Sequence, residues 1–204
     1  MENTANRIML IGELTALPEL SHTNHGRRFY RLYLRVPRLS GTADVLPVMA
    51  AEDLLMQTEL FEGGYFAVSG QIRSFNSREG GKRRLILCVY ASAITTTQDE
   101  PMNEALLSGV ICKPPVYRRT PLGREICDVM LAVNRLYHRA DYIPCILWGR
   151  SAQRISTLDV GAKLQLSGRL QSREYTKVLP EGSEQRTAYE LSVTAAEIIS
   201  EDSP

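Results

Sequence analysis

The chain has 204 residues, 44% hydrophobic and 23% charged, with 24 Lys and Arg against 23 Asp and Glu for a net charge of +1. That composition is ordinary globular material. It offers no bulk positive field to attract a polyanion, and no apolar run is long enough to span a membrane. Residues 1–6 lack the basic and apolar regions of a secretory signal, so a cytoplasmic protein is expected.

The elements follow in chain order. A strand leads to Gly12, and a turn follows through Pro18 and Gly26-Arg27. The second strand alternates Arg31, Tyr33 and Arg35 with Leu32, Leu34 and Val36, which is the period of a strand with one face buried. A third strand begins at Asp44. A helix is expected over 51–61, a fourth strand near Tyr65–Phe75, and a polar hairpin over Asn76–Lys82 with Gly80-Gly81 at its turn. The last strand of this half runs near Arg84–Ile94.

After the polar linker at 98–103 the same order begins again, 97 residues on. Gly12 returns as Gly109, Pro18 as Pro115, Gly26-Arg27 as Gly123-Arg124 and Arg38 as Arg135; the run at 44–48 returns at 141–145. The register slips by one at Ser69-Gly70, which matches Ser167-Gly168, and slips again so that Val89 and Ile94 align with Val193 and Ile198. One long offset with two small slips marks a duplicated domain, not a solenoid of short units. In the second copy a strand over 105–112 precedes turns at Pro114-Pro115 and Pro121-Leu122-Gly123. Strands near 124–134 and 141–148 follow, then a helix over 149–158 with Ala152, Ile155 and Leu158 at helical spacing. The next strand places Leu164, Leu166 and Leu170 opposite Gln165, Arg169, Arg173, Tyr175 and Lys177. A polar hairpin over 179–186 leads to a last strand with Tyr189, Leu191, Val193 and Ala195 on one face.

Five strands per copy, with one short helix between the third and fourth, define the OB architecture. The expected fold is mainly β: two tandem OB-fold five-stranded barrels, in domains at 1–97 and 98–204. The cationic set is 20 Arg and only 4 Lys. Arg grips phosphates with a two-pronged fork and stacks on flat rings, whereas Lys acts as a point charge.

Several motifs resemble the bacterial single-stranded DNA-binding protein family. The opening run Asn6–Thr15 with Pro18-Glu19-Leu20 is similar to that family's first strand and turn. In the second copy Thr120-Pro121-Leu122-Gly123, Leu131–Arg135, Trp148–Ala152 and Gly168–Tyr175 follow the family's motifs in order. The chain is similar also to primosomal replication protein N. The resemblance implies sequence-tolerant binding of single-stranded DNA, in replication, recombination or repair, without enzymatic activity. Its base-stacking positions fall on Tyr137, Tyr142, Trp148 and Tyr175. Period-2 parity independently sets Tyr142 and Trp148 opposite the apolar Ile143, Cys145 and Leu147. Aromatic faces hold any base, at about 1–3 kcal/mol each, beside a basic groove. The phosphate candidates are Arg150, Arg169, Arg173 and Lys177, with Arg118, Arg119 and Arg124 around the first loop.

In the first copy the stacking positions hold Ser40, Val45, Ala51 and Ser77, so that constellation is lost. Arg31, Tyr33, Arg35, Arg73 and Phe75, with Arg78, Lys82, Arg83 and Arg84, still interleave basic and aromatic residues; the alternative is a scaffold half whose arginines are merely solvated. The family commonly assembles four OB domains, so a homodimer is expected. Family members also continue into a flexible segment with an acidic, aromatic-tipped end; here Ile199 is followed only by Ser200–Pro204, and that recruiting role is not expected of these residues.

No cofactor, metal, membrane or small-molecule substrate is expected. His22, His25 and His138 lack companion ligands. Asp44 and Asp141 stand at strand starts, where a turn-forming role is expected. Cys88, Cys112, Cys127 and Cys145 lie in apolar runs, as reduced buried thiols. The competing functional classes are an assembly adaptor and a single-stranded RNA binder.

Overall fold

In a computed structural model of the chain, residues 5–79, 82–179 and 182–199 are described; the side chains at 77–79, 82, 83 and 179 lie outside that description. The first half comprises β1 (Asn6–Leu14), β2 (Glu19–Asn24), β3 (Arg27–Pro37), β4 (Ala43–Ala51), α1 (Glu52–Leu55), β5 (Tyr65–Glu79) and β6 (Lys82–Thr96). The second comprises β7 (Met102–Ile111), β8 (Val116–Arg119), β9 (Glu125–Arg135), β10 (Arg139–Trp148), α2 (Gly149–Ser156), β11 (Lys163–Leu179) and β12 (Gly182–Ile199). Strands β1, β5, β6, β4 and β3 pair in a closed ring, because β3 returns to β1. Strands β7, β11, β12, β10 and β9 close in the same way through β9 and β7. Two five-stranded barrels of OB type result, each closing through one parallel pair, β4–β6 or β10–β12.

Alternation accounts for the cores. Ile8, Leu10, Leu32, Leu34, Leu46, Val68 and Ile72 fill the first barrel, and Leu107, Leu131, Ile143, Cys145, Leu164, Leu166 and Leu170 the second, all buried. Gly70 and Gly168 share one necessity. Each lies at a register shift, and a Cβ there would stand 2.2 Å from the Tyr90 carbonyl oxygen or 2.3 Å from that of Ser192. Only glycine permits that approach. Burial of Cys88 pushes its thiol up to about 12, so it stays protonated at neutral pH.

The structure corrects several expectations. The first loops each carry an additional short strand, β2 or β8, hydrogen-bonded to β3 or β9. Helix α1 is a single turn, not the span 51–61: the Thr58 hydroxyl donates to the Ile94 carbonyl at 2.8 Å and holds the chain against β6. The hairpins expected at 76–82 and 179–186 are present, with longer strands than expected, since pairing runs to Glu79–Lys82 and Leu179–Gly182. The last strands bulge at Ser92 and Thr194, whose hydroxyls donate to the Ser69 and Ser167 carbonyls. The extra residue flips the parity beyond it. Ala196, not Ala195, therefore packs on the core. Register also aligns Val89 with Leu191, since these residues face Val48 and Cys145 in the two parallel pairs.

The barrels meet along β1 and β7, which pair antiparallel from Asn6↔Leu107 to Ile11↔Met102. The side-chain amide of Asn6 bonds both backbone groups of Ile72, at 2.7 and 2.9 Å, and Asn103 does the same at Leu170, at 2.7 and 3.0 Å. Beyond Gly70 and Gly168, β5 and β11 leave the seam and continue, paired with β6 and β12, as arms that reach the opposite barrel.

Two aspartates receive the arms. Asp44 is fully buried, ion-pairs with Arg38, and accepts the Ser172 N–H at 2.7 Å and its hydroxyl at 2.9 Å. Asp141, also fully buried, accepts the Ser74 N–H at 2.7 Å and pairs with Arg73 at 3.2 Å and Arg135 at 3.4 Å. The turn-forming role expected for these residues is overturned: each carboxylate lies inside a strand and bonds the opposite barrel. Leaving a buried ion-pair partner uncompensated costs about 3–5 kcal/mol. Asp44→Ala and Asp141→Ala should each lower the unfolding free energy by about that much in urea titrations, while the exposed Asp159→Ala changes it by less than about 0.5 kcal/mol.

Candidate nucleic-acid interface

Strand β10 divides as its alternation requires. Ile143, Cys145 and Leu147 enter the core, and Tyr142 and Trp148 face outward, 46% and 38% exposed. Trp148 ends the strand, and its indole N–H donates to the Ser192 hydroxyl at 3.2 Å, which fixes the ring on the outer surface beside β12. Two residues on, Arg150 stands in the first turn of α2, exposed and with no ion pair among the described residues.

Tyr137 stands apart from this pair. It projects from the β9–β10 turn at 89% exposure, and both it and His138 have φ in the left-handed region, +61° and +54°. Such conformations cost an L residue about 1–2 kcal/mol, and the first copy places Gly41 where the second has His138. Tyr175 is half-buried on the β11 arm, where the Arg173 guanidinium lies 5.7 Å from its ring centroid. The four aromatics thus occupy three places: the β10 face, a turn and an arm.

The arms bring residues of one copy to the other. The Tyr142 N–H donates to the Ser74 hydroxyl at 2.7 Å and Arg73 pairs with Asp141, so this part of β5 is held on the second barrel, and Phe75 follows Ser74 as an exposed ring. Arg73 faces Asp141 and stacks 5.8 Å from the Tyr90 ring centroid. In the other direction Arg169 donates to the Pro37 carbonyl at 3.1 Å, and Arg84 to the Thr187 carbonyl at 2.8 Å. Tyr33 is half-buried close to Tyr189, whose phenol burial pushes above its ordinary value with a smaller contribution from Tyr33.

The remaining cations divide by partner. Arg118 pairs with Asp128 at 2.6 Å, Arg119 with Glu125 at 3.1 Å and Arg173 with Glu190 at 3.6 Å. In each pair the guanidinium is exposed and the carboxylate half-buried, which leaves the arginine open to competition by a phosphate. Lys177 faces Glu184 across the arm. Arg31, Arg35 and Arg124 are exposed and make no ion pair among the described residues. The side chains of Arg78, Lys82 and Arg83 lie outside the described residues. No cluster of His, Cys, Asp or Glu suited to a metal ion occurs among the described residues, and no helix there is long and apolar enough to cross a membrane.

Sequence reasoning missed one feature. On the outer face of the first barrel, Phe29, Met49, Ala51 and Cys88 form a small apolar cluster with Tyr90, separate from the main core. His22 stacks on Phe29 at 5.0 Å and 11°. Alignment in register compared Ala51 only with Trp148. The cross-strand neighbour of Ala51, which is Phe29, carried the signal.

Residues 102–199 match the model of the single-strand binding protein family. A single-stranded DNA-binding protein of Bacillus cereus is 33% identical over 104 residues, 48% of this chain and 58% of that one. Single-stranded DNA-binding protein 1 of Staphylococcus aureus is 37% identical over 81 residues, 36% of this chain and 48% of that one. The chain therefore spans about half the length of the relatives it matches. The structure of a deletion mutant of the single-stranded DNA binding protein from Thermus aquaticus superposes with a TM-score of 0.79 over 100% of this chain and 98% of that one; at 24% identity this likeness concerns the fold alone. The motifs of β7–β12 and the family match over the same residues agree: residues 102–199 are similar to the single-strand binding protein family.

Proposed function

We propose that the chain binds single-stranded DNA without sequence preference, as a non-enzymatic cytoplasmic protein of replication, recombination or repair, with domains at 1–97 and 98–204. The observation that carries this reading is the β10 face: Tyr142 and Trp148 exposed on one side of a strand whose other side is core, with Arg150, which makes no ion pair among the described residues, beyond. Bases stack on Tyr142 and Trp148, and Tyr137 and Tyr175 extend the track at the turn and on the arm. Arg150 and Arg124 meet phosphates directly. Arg118, Arg119 and Arg173, exposed themselves, do so by exchanging half-buried carboxylate partners for phosphate. Arg73 and Phe75 reach the same face from the first barrel through Ser74.

Trp148 is the only tryptophan beside nine tyrosines, so fluorescence excited selectively at tryptophan reports this face alone. Titration with oligo-dT should quench it to saturation, with log affinity falling against log salt at a slope of about −0.7 per phosphate neutralised; absence of quenching at low salt would overturn the reading. Tyr142→Ala should weaken binding by about 1–3 kcal/mol, roughly 5- to 150-fold, with an unchanged urea midpoint. Unchanged affinity would remove Tyr142 from the track. A homodimer supplying four barrels is part of the proposal. Light scattering at micromolar concentration should return twice the chain mass, and a monomer would refute that part.

A further inference from the structure

We propose that the first barrel carries a single-strand binding surface of its own, built on His22, Tyr90 and Arg31 over Phe29, and not on the positions that the duplication equates with the second barrel's aromatics. The proposal rests on the reading of the chain as a single-strand binder.

Register shows how the surface was rebuilt. In the second barrel Trp148 faces Ile126 across the β9–β10 ladder and donates to Ser192 on β12. In the first barrel the corresponding places hold Ala51, Phe29 and Tyr90: Phe29 faces Ala51, and Tyr90 is next to Met49 in the parallel pair. The ring lost at Ala51 has been replaced by two, one on each neighbouring strand. Phe29 and Tyr90 lie 6.1 Å apart between centroids. Phe29 itself is only 8% exposed, because the His22 ring covers it in parallel stacking. The accessible rings are those of His22 and the half-buried Tyr90.

The charges around these rings favour a phosphate chain. Arg27, 5.8 Å from the Phe29 centroid, is engaged with Asp53, and Arg28 with Glu52. Arg31 is two residues beyond Phe29, on the same face of β3. It is exposed, with no ion pair among the described residues, although Glu19 stands opposite it on β2. Two stacking faces beside one uncommitted guanidinium match a base, its neighbour and the phosphate between them.

The test compares two lengths of oligo-dT, one of about 10 nucleotides that a single barrel can hold and one of about 40 that can cover both. The variant carries His22→Ala and Arg31→Ala, both exposed positions, and its urea midpoint serves as the folding control. The expected result is a roughly 5- to 150-fold loss of affinity for the long oligonucleotide, while Trp148 quenching by the short one is unchanged. In the wild-type chain the His22 ring protons, assigned by their loss in the variant, should shift upfield in NMR spectra as the long oligonucleotide is added. Unchanged affinity for the long oligonucleotide with unmoved His22 resonances would overturn the proposal and leave the stack as a packed cap over Phe29. If the short oligonucleotide fails to quench Trp148 in the wild-type chain, the parent reading fails, and this proposal with it.

Discussion

Everything on the outer surface depends on two buried carboxylates. Asp44 and Asp141 occupy equivalent places in the duplicated sequence, and each takes a backbone N–H from the arm of the opposite barrel. A carboxylate removed from water must find all its partners inside the protein, and here those partners come from both halves: Arg38 and Ser172 for one, Arg73, Arg135 and Ser74 for the other. Neither carboxylate is satisfied unless the barrels are docked. The pose of the arms, and so the docking of Ser74 on β10 and of Ser172 on β4, follows from that requirement.

Much of the barrel architecture was legible because it rests on local periodicity. Leu32, Leu34 and Val36, or Ile143, Cys145 and Leu147, could enter a core only with their neighbours facing out, and the duplication gave a second reading of every element. What escaped notice depended on contacts distant in sequence. No local signal distinguishes a turn-forming aspartate from one that accepts a hydrogen bond 128 residues away. The bulges at Ser92 and Thr194 likewise reverse parity without a break in the apolar pattern. In the candidate site, alternation oriented Tyr142 and Trp148, and the family resemblance supplied Tyr137 and Tyr175. Neither could reveal that Arg169 spends its guanidinium on the Pro37 carbonyl, nor that Phe29 stands across the ladder from Ala51.

The two copies have diverged in surface more than in framework. Asn6 and Asn103, Gly70 and Gly168, and Asp44 and Asp141 keep the same physical tasks, while the outward residues of β3, β4 and β6 no longer resemble those of β9, β10 and β12. That contrast is what a fixed interior and a freely varying exterior produce. Close packing and buried hydrogen bonds penalise change within the barrel, and an exposed ring can migrate to a neighbouring strand at small cost.

The β1–β7 seam has one more consequence. An unpaired strand edge is a template for association between molecules, and here each barrel's first strand is matched by the other within the same polypeptide. Their meeting is a first-order event, governed by the effective concentration set by the short connection between Thr96 and Met102. Dilution cannot separate partners that are covalently tethered. Any further assembly of whole chains obeys mass action, but the paired-barrel unit persists at concentrations where two separate barrels, held by the same contacts, would have drifted apart.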